Sequence, residues 1–146
     1  MIRIPPPIWM FLLLAIAGTV SWAYPQMQIV QWVAPGIVLV VAGLGLSLWA
    51  FGLFRSEGTE VNPTSQTNKK LVTRGPYRFT RNPMYLSLVI FSLGVALIVG
   101  TLAMFAVPPI VFAIANWVHI PFEEAKMRRQ FGTAFDDYTK VIPRWV

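Results

Sequence analysis

PMYLSLVIFSLGVALIVGTLAMFAVPPIVFAIANWV, from Pro83 to Val118, contains no charged side chain. As one helix at about 1.5 Å rise per residue it would be roughly 54 Å long. A bilayer's hydrocarbon core is only about 30 Å thick. The block must therefore fold back on itself, and Gly100-Thr101 is the natural turn. Pro108-Pro109 predict a kink in the second arm, because proline removes a backbone donor and crowds the preceding turn.

Two further uncharged stretches lie upstream, Ile8 to Tyr24 and about Val33 to Phe54. The first has large residues, Trp22 and Tyr24, where a signal peptide would have a small-residue cleavage site, so it is expected to be a retained helix. Hydrophobic residues make up 55% of the chain and charged residues 12%, too little polar surface to cover it in water. The expected architecture is all-α, a polytopic membrane protein with about four transmembrane helices. They fall near residues 8–24, 33–54, 83–99 and 102–118 of a single integral membrane domain, 1–146. A loop, 55–82, and a tail of short helices, 119–146, complete it.

The net charge of +6 is placed one-sidedly. With four crossings, Arg3, the loop cations from Arg55 to Arg81 and the tail cations from Lys126 to Arg144 share one membrane face. The positive-inside rule makes that face cytoplasmic, with both termini on it. All six carboxylates lie there too. The expected partners are membrane lipids and a lipophilic substrate rather than nucleic acid. With no ionisable group inside a helix, a proton- or ion-coupled transporter is disfavoured. No cysteine, one histidine and six carboxylates also argue against a metal centre.

Chemistry is therefore expected in the loop and the tail. In the loop, Gly58, Pro63, Gly75 and Pro76 break any continuous helix, and Arg74, Tyr77, Arg78, Phe79, Arg81 and Tyr85 interleave cations with aromatics. An interfacial anchor would share that composition. In the tail, Pro121 suits a first helical turn and Glu123-Glu124 suit its positive end. Glu124 and Arg128 are four apart, Gly132 is a stop, and Thr133 to Asp136 resembles a capping box. Phe131, Phe135 and Tyr138 form an expected apolar stripe.

Taken in order, LVTRGPYRFTRNPMY (Leu71 to Tyr85), Glu123-Glu124, Phe131-Gly132, Phe135, Tyr138 and Arg144 resemble the signature of the isoprenylcysteine carboxyl methyltransferase and phospholipid N-methyltransferase group. Gly43-Leu44-Gly45 resembles the G-x-G which that group places near its cofactor, although such glycines also serve as helix-packing surfaces. Asn82 departs from the histidine of the prenylcysteine enzymes, which puts a prenylcysteine acceptor in question. The resemblance implies S-adenosylmethionine as cofactor and methyl transfer to a lipophilic carboxylate, amine or thiol at the cytoplasmic interface.

On that reading Gly43, Gly45, Tyr77, Arg81, Asn82, Pro83, Tyr85, Glu123 and Glu124 are the expected cofactor contacts. Arg81 and Asn82 suit the cofactor's carboxylate, the glutamates its amino group and ribose, and Tyr85 its sulfonium. Glu124, Arg128 and Arg129 are the expected catalytic set, taking a proton from the acceptor or orienting it. His119 is more readily a polar interface residue. The competing readings are a membrane reductase using NADPH on a related scaffold and a non-enzymatic assembly protein.

Overall fold

The computed structural model describes residues 4–56 and 71–146; Arg3, Gly58, Pro63 and the carboxylates at 57 and 60 lie outside them. The described residues are helical, with one isolated bridge, Gln28 to Thr101. Helix α1 spans Pro6–Ala23, α2 Val33–Ser56 and α3 Pro83–Val99. The chain then continues through α4 (Leu102–Phe105), α5 (Val107–Ile114), a π turn (Ala115–His119) and α6 (Ile120–Phe131), and ends with α7 (Thr133–Val141). Three segments are long and apolar enough to cross a membrane: α1, α2 and the run Leu102–Phe131. Helix α3 is apolar but shorter.

Helices α2 and α3 form a tight hairpin because small residues meet at its seam. A Cβ on Gly36 would lie 2.7 Å from the Gly94 carbonyl oxygen, and one on Gly43 would lie 2.9 Å from that of Ser87. In α2 only Gly36, Gly43 and Ala50 are buried, one narrow stripe at a spacing of seven. The rest of its surface, including Val38, Val41 and Leu48, is exposed and apolar, as a lipid-facing helix requires.

The turn after α3 closes at Gly100, whose φ of 79° a side chain would oppose. Its carbonyl and those at the end of α3 find partners in the α1–α2 connection. The Ile29 amide donates to the Gly100 oxygen at 2.8 Å and the Trp32 amide to that of Leu97 at 2.9 Å. Thr101 caps α4 and bonds the Ser21 hydroxyl of α1 at 2.6 Å. Met10, Ala17, Ala96, Met104, Val107 and Val111 make the core between α1, α3 and the fourth segment.

That segment is broken beside the prolines, as expected, though not at them. The break comes at Ala106, before the prolines, so that Pro108 sits in the first turn of α5, where no donor is required. Nor does the helix end at Val118. It runs through a π turn into α6. The π turn lies immediately before Pro121, which lacks the donor for the carbonyl of Trp117 and would crowd it in a regular helix. The tail differs in detail as well. Gly132, at φ 53°, ends α6 and is itself the residue before α7, with no side-chain cap, so Thr133 lies inside the helix rather than capping it.

Candidate active site

The first residues of α1, the last turns of α2, the start of α3 and the tail converge on one cavity of about 550 Å³. Its construction begins with the Gly-Pro-Tyr turn. Gly75 has φ 61°, and any side chain there would run into Leu53 of α2. Pro76 and Tyr77 are buried. The Tyr77 ring packs on Phe54 with centroids 5.2 Å apart, and its carbonyl accepts the Tyr138 hydroxyl at 2.7 Å. Burial pushes the Tyr138 phenol up to about 12, although Arg81 opposes the shift, so it stays a donor near neutrality.

The chain next zips onto the tail. The Arg81 amide donates to the Pro143 carbonyl at 3.0 Å. The Thr80 hydroxyl and the Asn82 side-chain amide both donate to the Arg144 carbonyl, each at 3.0 Å. This places the Arg144 guanidinium beside Glu124, with Nη2 2.6 Å from Oε2 and Nε 3.1 Å from Oε1. Arg81 Nη1 lies 3.0 Å from the same Oε1. One carboxylate thus joins two guanidiniums from distant parts of the chain. Pairing with Glu124 holds Arg144 above its ordinary value. Asn116, on the π turn, accepts the Trp145 indole N–H at 3.0 Å and so fixes the residue beyond the clasp.

Next to this clasp, the Tyr85 hydroxyl donates to Glu123 Oε1 at 2.8 Å. Arg81 Nε is buried with no partner. A guanidinium N–H pointing at nothing is costly unless a ligand accepts from it.

Of the residues expected from sequence, Tyr77, Arg81, Asn82, Pro83, Tyr85, Glu123 and Glu124 line the cavity together. Gly43 and Gly45 do not. Gly43 is the seam against α3, and a Cβ on Gly45 would meet nothing within 4 Å. Arg128 and Arg129 are exposed on the outer side of α6. Arg128 pairs with Asp136 at 2.8 Å instead of with Glu124, because Arg81 and Arg144 already occupy that carboxylate. Thr80, Asn116, Trp145 and Pro5 to Pro7 were missed. Nothing local in the sequence marks them, since their roles come from segments distant along the chain.

A family model described as phospholipid methyltransferase matches residues 31–134, well over half of the chain. The chain belongs to this family. The match begins just before α2 and ends at the start of α7, so it takes in the Gly-Pro-Tyr turn and both glutamates but neither α1 nor Arg144. Among curated proteins, the family member is 33% identical over 87 residues to protein-S-isoprenylcysteine O-methyltransferase B of Arabidopsis thaliana. It is 32% identical over 85 residues to protein-S-isoprenylcysteine O-methyltransferase of Schizosaccharomyces pombe. These alignments cover 56% and 54% of this chain but only 41% and 34% of the relatives' own lengths. No solved structure matches it.

Proposed function

We propose that this protein transfers a methyl group from S-adenosylmethionine to a lipophilic acceptor at the cytoplasmic face of a membrane. The observation that carries the reading is the cavity of mixed polarity. Arg81 with its buried, unpartnered Nε and the Glu123–Tyr85 pair bring polar groups to it, and Phe51, Phe54, Leu88 and the α1 prolines bring apolar ones. The family and the named activity of the two relatives point the same way.

The cofactor fits these donors. Arg81 Nε offers an N–H to its carboxylate, Glu123 offers oxygens to its amino or ribose groups, and the Tyr85 ring offers a face to a cation. S-adenosylmethionine, when bound, supplies an electrophilic methyl on a sulfonium. The protein's share is to align and to exclude water, effects able to contribute several kcal/mol to a displacement. Tyr85 holds Glu123 in place, and Glu124 holds Arg81 by pairing at Nη1, while Arg81 Nε is buried and unpartnered. Asn82 acts through the tail, clasping the Arg144 carbonyl. The charged ends of the helices gather at the cavity, and the positive-inside rule puts that end in the cytoplasm.

The test is calorimetric titration of the detergent-purified protein with S-adenosylmethionine, beside a Glu123→Gln variant. The parent should bind saturably and the variant about tenfold more weakly, the loss of roughly one charge-assisted hydrogen bond. Tritiated methyl groups should then appear in an apolar fraction of a lipid extract. A folded parent that neither binds the cofactor nor labels any lipophilic product sinks the reading.

A further inference from the structure

The N-terminal end of α1 lines the cavity through Pro5, Pro6 and Pro7, although α1 lies outside the residues that carry the family match. An ordinary helix start presents four free N–H groups and the positive end of the helix dipole, a ready site for an anion. Here that site is cancelled. Pro5 is the cap and Pro6 and Pro7 are the first two helical residues, so three of the four donors do not exist. The fourth, the Ile8 amide, is bonded to the Pro5 carbonyl at 3.0 Å. Among the described residues, the first turn of this helix leaves no backbone donor for a ligand.

The wall is also firmly placed. Met10, one turn on, is 2% exposed in the core, and the far end of α1 is tied through Ser21 to Thr101. Pro6 further lines a narrow crevice of about 10 Å³ with Tyr85 and Leu88, which puts it beside the start of α3. Phe51, Phe54 and Leu88 continue the apolar lining.

We infer that the α1 prolines form a wall without free backbone N–H groups that receives the hydrocarbon body of the acceptor, so that α1 sets acceptor specificity. This rests on the methyl-transfer reading for what happens next to the wall. Charge-bearing parts of an acceptor must then lie toward Arg81, which lines the same cavity.

The test uses the full chain in nanodiscs and two photoactivatable diazirine probes of equal chain length, an alkyl alcohol and a permanently ionised alkyl sulfonate. In the parent, the alcohol should label the peptide containing Pro5 to Pro7 in preference to the sulfonate. Pro6→Ala/Pro7→Ala restores two N–H groups and should shift the labelling ratio about threefold to tenfold toward the sulfonate, the scale of an anion at a helix start. Pro7→Ala alone should give a smaller shift in the same direction, and it decides the matter if the double variant does not fold. A parent whose α1 peptide is not labelled, or a ratio unmoved by either variant, overturns the inference. Calorimetry with S-adenosylmethionine on the same samples separates the two ideas. Methyl-donor binding with an unmoved ratio removes the wall alone, whereas a shifted ratio without donor binding removes the methyl-transfer reading and upholds the wall.

Discussion

Glu124 and Arg128 show how far a spacing rule reaches. Four residues apart on one helix, they are positioned to pair, and such pairs on exposed helices contribute about 0.3–0.5 kcal/mol. The fold offers Glu124 something stronger, two guanidiniums in a site where its side chain is 15% exposed. Arg128 is left to an exposed pair with Asp136. Glu124→Ala should therefore strand Arg81 and Arg144 and lower stability by about 2 kcal/mol, less than for a fully buried pair because Arg144 is partly exposed. Arg128→Ala should change stability by less than about 1 kcal/mol and leave cofactor affinity unaltered. Paired thermal melts and titrations of the two variants check this, and equal effects would mean that Glu124 is not the centre of the clasp.

At the scale of elements, the two glycines of Gly43-Leu44-Gly45 have different fates on one helix. Gly43 lies where α2 touches the α3 backbone, and Gly45, two residues on, faces outward. In lipid, close helix approach through small residues replaces the hydrophobic drive available in water. Gly43→Ala should force the hairpin apart and cost about 1–3 kcal/mol. Gly45→Ala should be neutral or stabilise by up to about 1 kcal/mol, because it removes backbone freedom from the unfolded chain without meeting a neighbour. Both are read by thermal melting in detergent. A loss of S-adenosylmethionine affinity in Gly45→Ala without a loss of stability would restore the glycine pair to the cofactor site. The π turn is a second lesson at this scale. Pro121 reads as a helix start from sequence, and it is also the reason the preceding turn widens, which carries Asn116 to the Trp145 indole.

For the whole molecule, the arrangement requires the start of α1, the end of α2, the start of α3 and the tail to share one side, with the 24–32 connection and the Gly100 turn on the other. The absence of cysteine makes this measurable on an otherwise unlabelled background. Single cysteines at Thr73 and at Val141, both exposed, should react with a membrane-impermeant maleimide from the cytoplasmic side, and one at Gln26 from the opposite side. Opposite accessibility of the Thr73 and Val141 positions would break the proposed topology, since the zip between 80–82 and 143–144 cannot span a bilayer.

Much of this was decided by composition and pattern alone. Uncharged runs too long for one crossing require helices that satisfy their own backbone and a turn at Gly100. Charges confined to Arg3, the loop and the tail point to chemistry at one membrane face. The ordered motif from Leu71 to Arg144 named the family's residues, and seven of the nine expected cofactor contacts meet in one cavity. Only the tertiary structure decided which partners those residues take. Glu124 is claimed by Arg81 and Arg144, Asn82 by the backbone of the tail, Gly43 by α3, and one wall of the cavity by prolines more than sixty residues from the motif. The physical reason is the same throughout. Periodicity and charge report what a residue needs, a buried face, a counter-ion or a capped donor, whereas the partner that meets the need is selected by close packing between segments remote in the chain.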